Sequence, residues 1–192
     1  MRFLSVVFLA TLVFAGFANA TITPVLDAGN PTVDGSNYLW TYQINLSADE
    51  ELNASIPAGG SYFTIYDFVG YVGGTVAATA PNWTAQALLT GETPSTQLVT
   101  DDPGIWNLVF TYTGSITEGP LNIDGFSAES IYGQINANGT FSYQAQKTAN
   151  TSAPDQGQGP VDIPQAIPEP ASMALIGGGL IGLAVLRRKF AR

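Results

Sequence analysis

Acidic side chains cluster at three points of the chain, and their oxygens are the groups best able to do chemistry. The clusters are Asp49-Glu50-Glu51, Asp101-Asp102, and the loop with Asp27, Asn30 and Asp34. Two facing carboxyl groups can hydrolyse a glycosidic bond, and a shell of oxygens can bind Ca²⁺. None of the clusters has EF-hand spacing, and adjacent acids in turns are usually solvated. We therefore predict no catalytic residue, no metal ligand and no cofactor, with Ca²⁺ binding and glycoside hydrolysis as alternatives.

Aromatic side chains are the second group that could bind a ligand, because their faces stack on sugar rings. The three tryptophans are Trp40, Trp83 and Trp106. Packing in a core or across strands is the ordinary role of such residues. Trp83 follows Pro81-Asn82 in a loop-like stretch. It is therefore the best candidate for an exposed sugar contact.

Composition excludes several classes of function. The chain has no cysteine and no histidine, which removes the Ser–His–Asp triad, the cysteine nucleophile and the typical zinc site. Between Thr21 and Ala166, fourteen acidic residues accompany one lysine, a net charge of −13. Phosphate binding needs clustered Lys or Arg, so we predict no nucleic-acid partner. Only 11% of residues are charged, which favours a β-rich extracellular domain over a cytosolic helical enzyme.

The N-terminal segment, residues 1–20, has the order of a secretory signal peptide. Arg2 supplies a positive start, and residues 3–17 are almost wholly apolar. Ala18-Asn19-Ala20 then places small side chains at the two positions that signal peptidase requires to be small. We predict export and cleavage after Ala20, with Ala18 and Ala20 forming the peptidase site.

The C-terminal segment, residues 167–192, combines three features in order. Pro168, Glu169 and Pro170 form a rigid, extended motif, because proline fixes φ and stops a helix. Residues 171–186 are uncharged and predict a single transmembrane helix of about 24 Å, short against roughly 30 Å of bilayer core. The basic end, residues 187–192, contains Arg187, Arg188 and Lys189. Such a cluster stays cytoplasmic, so the body of the protein is expected outside.

This segment resembles the PEP-CTERM sorting signal of Gram-negative bacteria. The resemblance implies recognition of residues 168–170 by an exosortase, a membrane transpeptidase-like enzyme that cuts near the motif. It implies that the three basic residues retain a precursor that crosses the inner membrane transiently and faces the periplasm. It also implies a mature form at the cell surface or outside the cell, associated with exopolysaccharide and biofilm. A plain membrane anchor with a chance Pro-Glu-Pro is the alternative.

Residues 21–147 are predicted to form one β domain, because apolar residues recur with period two. Tyr38 to Leu46 and Trp106 to Tyr112 alternate in this way, and Ser61 to Val72 is apolar on both faces, as in a central strand. Shorter candidate strands are Thr84 to Leu89, Gln97 to Thr100 and Ile123 to Ala128. These patterns predict an all-β fold, an antiparallel, jelly-roll-like β-sandwich, with an irregular barrel as the alternative.

The sequence near the end of this domain predicts a hairpin and then a linker. Asn138-Gly139 favours the positive φ values of a type I′ turn, which predicts a hairpin between Ile131–Ile135 and Phe141–Ala145. Residues 148–166 lose the alternation and carry prolines and glycines among Asn, Gln and Asp. They predict a flexible linker that lifts the domain off the membrane.

The sequence therefore predicts an exported, non-enzymatic structural or interaction protein of the surface or matrix, processed by signal peptidase and an exosortase. A carbohydrate-binding module is the first alternative, and it requires an exposed aromatic row on one sheet. A glycoside hydrolase is the second, and it requires two facing carboxyl groups in a cleft.

Overall fold

The computed structural model describes residues 22–57 and 59–167, which form β-strands and connecting loops and contain no helix. They are β1 (Ile22–Leu26), β2 (Thr32–Asp34), β3 (Asn37–Leu46), β4 (Glu50–Leu52), β5 (Tyr62–Ile65), β6 (Ala77–Ala78), β7 (Trp83–Leu88), β8 (Asn107–Tyr112), β9 (Thr117–Glu118), β10 (Leu121–Ser130), β11 (Gln134–Lys147) and β12 (Asn150–Gln165).

The strands form two sheets in which the pairings are antiparallel. Sheet A has the order β1-β3-β10-β6, with β2 also paired to β3. Sheet B has the order β7-β8-β5-β11-β4-β9, with β12 paired to β11. The predicted all-β, sandwich-like fold of two antiparallel sheets is confirmed. The jelly-roll-like connectivity and the transmembrane helix stay predictions.

Strand β3 shows how alternation produces the fold. Trp40, Tyr42, Ile44 and Leu46 are buried, and the residues between them are half-buried or exposed. A strand places successive side chains on opposite faces, so the apolar set faces the other sheet. Strand β5, predicted as central, pairs with β8 on one side and β11 on the other, and all four of its residues are buried.

The centre of the core is a group of aromatic rings contributed by both sheets. Phe126 of sheet A lies 5.1 Å from Phe63 and 5.2 Å from Phe110 of sheet B, in edge-on arrangements. Trp83 joins the group at 5.7 Å from Phe63 and 5.1 Å from Phe126. Edge-on ring pairs at these separations add to the free energy gained from burial. The rings therefore fix how the sheets face each other.

The hairpin predicted at Asn138-Gly139 is wrong, because β11 runs through it. Neither residue has a positive φ. The register against β12 shifts between Asn136 and Gly139. Asn136 pairs with Ile163 and Gly139 pairs with Val161, so three residue steps on β11 lie opposite two on β12. That extra residue makes a bulge. Glycine is needed there, since a Cβ on Gly139 would lie 2.5 Å from the Val161 carbonyl oxygen.

The flexible linker predicted over residues 148–166 is also wrong. Residues 150–165 form β12, which pairs with β11 along its length after a turn at Thr148 and Ala149. The strand has an alternation too weak to see in the sequence, because Val161 and Ile163 are its buried aliphatic residues. Its backbone hydrogen bonds to β11 need no apolar side chain, so a polar, proline-containing sequence can serve as an edge strand.

The strand predicted at Gln97 to Thr100 is absent, and the segment is a loop. The Gln97 amide donates to the Pro94 carbonyl oxygen in a turn. Leu98, which the pattern would bury, is 94% exposed. No neighbouring strand pairs with this loop in the described part of the chain.

Candidate functional site

The C-terminal end of β12 leads directly into the segment predicted to be the sorting signal. The strand ends at Gln165, and only Ala166 and Ile167 separate it from Pro168. The motif residues Pro168, Glu169 and Pro170, the basic residues Arg187, Arg188 and Lys189, and the peptidase-site residues Ala18 and Ala20 lie outside the described residues. Their roles stay predictions. The described residues show where the folded domain ends next to the motif.

A shallow groove lies at this end of β12. It has a volume of 370 Å³ and is lined by Gln134, Gln165, Ala166 and Ile167. Ile167 is 59% exposed. Across residues 22–57 and 59–167, no helix is long and apolar enough to cross a membrane.

Trp83, predicted to be an exposed sugar contact, is buried, so that prediction is wrong. It retains 6% exposure and packs on Phe63, Tyr112 and Phe126. The preceding Asn82 has a positive φ of 63°, and Trp83 is the first residue of β7. The turn at Pro81-Asn82 is a loop, as the sequence indicated, but it directs the indole into the core.

Trp106 is the tryptophan that reaches the surface, with 40% exposure. Its ring lies 5.9 Å from Tyr71, which lies 6.5 Å from Phe68, which in turn lies 6.0 Å from the buried Trp40. The Phe68 amide donates to the Trp106 carbonyl oxygen at 2.8 Å. The Trp106 ring is therefore packed against Tyr71 and partly accessible to solvent.

Polar groups of Asp67, Asp101, Asp102 and Asn107 form a connected network at the start of β8. Asn107 accepts from the Asp67 amide at 2.8 Å and donates to Asp101 at 3.0 Å, and Asp67 accepts from the Asp102 amide at 3.0 Å. Asp67 has a φ of 53°. Burial raises the pKa of Asp67, and the negative charges of Asp101 and Asp102 act in the same direction against the hydrogen bond from Asp102.

Asp49 lies in an exposed turn, as the sequence indicates, but the other two members of the Asp49-Glu50-Glu51 cluster are not solvated. Glu50 and Glu51 belong to β4 and are buried. Burial raises the pKa of Glu50 to about 9, and the neighbouring Asp155 carboxyl acts in the same direction. Lys147 opposes this shift. Sequence analysis missed Asp155 because it lies in the segment interpreted as a linker.

A metal site needs several clustered ligands, and glycoside hydrolysis needs two facing carboxyl groups. The described residues contain no group of three carboxylates placed to hold a metal ion. A groove of 240 Å³ between β1 and β12 is lined by Thr23, Pro24, Val25, Leu26, Ala137, Pro160, Val161 and Asp162. Asp162 is its only carboxylate, and the groove at Gln134 has none. Neither groove offers the two facing carboxyl groups of a glycosidase.

Comparison with known proteins agrees with the C-terminal pattern. Residues 166–189 match the family model of the PEP-CTERM protein-sorting motif. No curated protein sequence matches the chain. Among solved structures, the chain is similar to a cohesin module from a family 33 glycoside hydrolase of Clostridium perfringens. That similarity has a TM-score of 0.38 and 11% identity, and it covers 77% of this chain and 99% of the module.

Proposed function

We propose that this PEP-CTERM protein is a non-catalytic structural or interaction protein of the bacterial cell surface or its exopolysaccharide matrix. The sorting motif at residues 166–189 is the observation that carries the proposal, because it marks an exported protein that an exosortase processes. The folded part supports it, since it is a two-sheet domain in which neither the groove at Thr23 nor the groove at Gln134 contains paired carboxylates. A biofilm setting follows from the resemblance described above.

The proposed route to the surface has two cleavages. Signal peptidase removes residues 1–20 in the membrane of a Gram-negative cell, and the C-terminal segment holds the precursor facing the periplasm. Exosortase then recognises residues 168–170 and removes the span and the basic cluster. The strongly acidic domain stays soluble after release, because like charges oppose association.

Intact mass of the protein from the native surface tests this route. In wild-type cells we expect loss of residues 1–20 and of the tail beyond the motif. In cells without exosortase activity we expect the tail to remain. Replacing Pro168 and Pro170 with Ala should block tail removal, whereas Pro103→Ala, at an exposed turn, should be processed normally. An unprocessed tail in wild-type cells would mean a plain membrane anchor.

Carbohydrate binding is the second candidate function, and Trp106 is the observation that favours it. Its ring is 40% exposed and lies 5.9 Å from the Tyr71 ring, and an accessible aromatic ring is what stacking on a sugar requires. Binding of purified exopolysaccharide, measured by calorimetry, should weaken at least tenfold in Trp106→Ala. The control is Leu98→Ala, which removes a more exposed apolar side chain. Equal binding by both variants would exclude Trp106 as the contact.

The non-enzymatic assignment has its own test. The processed protein should release no reducing sugar from the same exopolysaccharide. Sustained release of reducing sugar by the processed protein would replace this proposal with a hydrolase. No observation in the described residues favours that alternative.

A further inference from the structure

Three charged residues form a row across sheet B at the turn between β11 and β12. Lys147 of β11 pairs with Glu50 of β4, and Ala145 of β11 pairs with Asp155 of β12. Residues 145 and 147 have the same parity, so their side chains lie on one face of the strand. Ala145 belongs to the hydrophobic core. Glu50, Lys147 and Asp155 therefore lie on the face that covers the core, and they join three adjacent strands.

Glu50 is the member of the row with no donor for its oxygens. It has 0% exposure, and in the described part of the chain neither carboxyl oxygen has an N–H or O–H partner. Its neighbour is the carboxyl group of Asp155. A buried carboxylate without a donor is costly, and a second carboxylate beside it increases that cost.

Lys147, the cation in the row, forms an ion pair with Asp155. The Lys147 ammonium lies 3.5 Å from Asp155 Oδ1, and the Tyr143 hydroxyl donates to Asp155 Oδ2 at 3.1 Å. Asp155 therefore has both of its oxygens occupied as acceptors. Asp49 is a further acidic neighbour of Glu50. With every group ionised, the row and Asp49 would carry three negative charges and one positive charge.

We propose that Glu50 carries a proton in the folded domain and shares it with Asp155, so that the row Glu50–Lys147–Asp155 is a proton-dependent clasp on the β11–β12 hairpin. As an acid, Glu50 becomes a donor, and Asp155 accepts its proton in a bond between β4 and β12. One proton thus removes both the unpaired buried charge and the repulsion between carboxylates.

The direction of the pH effect follows from the pKa of Glu50, which is raised from 4.5 to about 9. The folded state binds this proton more tightly than the unfolded state does. The contribution to stability is therefore fully present below pH 4.5 and is lost as pH rises towards 9. The clasp is closed in acidic surroundings and opens in alkaline ones, and it acts on the strand that leads to the sorting motif.

Carboxyl titration by NMR is the direct test. The processed protein, labelled with ¹³C at glutamate side chains, should show one carboxyl signal that remains protonated at pH 7. Glu50→Gln should remove that signal. The unfolding temperature of the wild type should fall between pH 5 and pH 9, and the Glu50→Gln profile should be flatter. Glu51→Gln is the matched control, because it changes the buried neighbour, and it should retain the wild-type slope.

Three outcomes would overturn the proposal. The first is titration of every glutamate in the ordinary acidic range. The second is the same pH slope in wild type and Glu50→Gln. The third is a CaCl₂-dependent rise in the unfolding temperature at pH 7 that Glu50→Gln abolishes, because that result would assign the pair to a cation rather than to a proton.

Discussion

At the scale of single residues, two glycines of β12 are held under aromatic rings of β11. Gly157 pairs with Tyr143 and Gly159 with Phe141, and the two rings are stacked at 6.4 Å. A Cβ on Gly157 would lie 2.5 Å from the Tyr143 ring, and one on Gly159 would lie 2.9 Å from the Phe141 ring. These glycines allow large rings to cover the backbone of the edge strand.

We expect Gly157→Ala to lower the free energy of unfolding by about 1–3 kcal/mol, because the methyl group forces the Tyr143 ring to move. Gly73→Ala is the control, since nothing lies within 4 Å of its added Cβ; it should change stability by no more than about 0.5 kcal/mol. Urea denaturation measures both. Equal effects would show that the ring contact does not matter.

The tryptophans show what sequence can and cannot predict about single residues. The Pro81-Asn82 turn was predicted, but the direction of the next side chain depends on where β7 begins and on the positive φ of Asn82. Sequence patterns place a residue near a turn and do not fix that direction. Trp106 was predicted to continue the strand alternation, yet β8 begins one residue later, which leaves its ring at the surface.

Trp83→Ala should lower the free energy of unfolding by about 3–5 kcal/mol, because it leaves a cavity among packed rings. Trp106→Ala should cost less than about 1 kcal/mol, since its ring is partly exposed. Chemical denaturation of the two variants compares them directly. A larger loss at Trp106 would assign that residue to the core rather than to the surface.

At the scale of elements, β12 is an edge strand protected by proline. Pro154, Pro160 and Pro164 all occupy even positions, and successive N–H groups of a strand point to opposite sides. The prolines therefore occupy positions whose backbone nitrogen faces the outer edge. The N–H groups that bond to β11 belong to the other residues of β12. Prolines on an exposed edge oppose pairing with another chain.

Replacing Pro154 and Pro160 with Thr should promote self-association, because each change returns an outward N–H donor and adds a β-branched residue. Light scattering over a range of concentrations should show a higher mean mass than for the wild type. Pro103→Thr, in a turn outside the strands, should leave the mean mass unchanged. An unchanged mass in the double variant would contradict the protective role.

The sequence predicts a strand well when burial of that strand leaves an apolar pattern. Strand β3 has one buried face and β5 is buried on both, so their apolar patterns were visible. The pattern of β12 was hidden because β11 holds it through the backbone. Asn138-Gly139 predicts a turn because Asn-Gly favours positive φ values, whereas the pairing of β11 with β12 on both sides of it makes it a bulge in a continuous strand.

At the scale of the whole molecule, β12 extends the domain past the boundary predicted at residue 147. Val161 and Ile163 are part of the core, and the Tyr42 hydroxyl of sheet A donates to the Asp162 carbonyl oxygen of β12 at 2.9 Å. The last strand therefore connects the two sheets. The folded unit runs to Gln165, adjacent to the sorting motif.

A chain that ends after Lys147 should not fold cooperatively, because it lacks two core side chains and leaves the length of β11 unpaired on one side. A chain that ends after Ile167 should retain the full thermal transition. Circular dichroism during heating distinguishes them. A cooperative transition in the shorter chain would restore the boundary at residue 147.

The position at which β12 ends also limits how far the domain can travel once the chain is fixed at its sorting motif. From Gln165 to Pro170 there are five residues, which span at most about 17 Å when fully extended. A flexible stalk would let the domain sweep a wide volume and capture polymers at a distance. In a chain that remained attached at residues 168–170, this short connection would keep the Gln134–Gln165 end of the domain next to the attachment surface. Many copies attached in this way would form a dense layer in which the domains share one orientation.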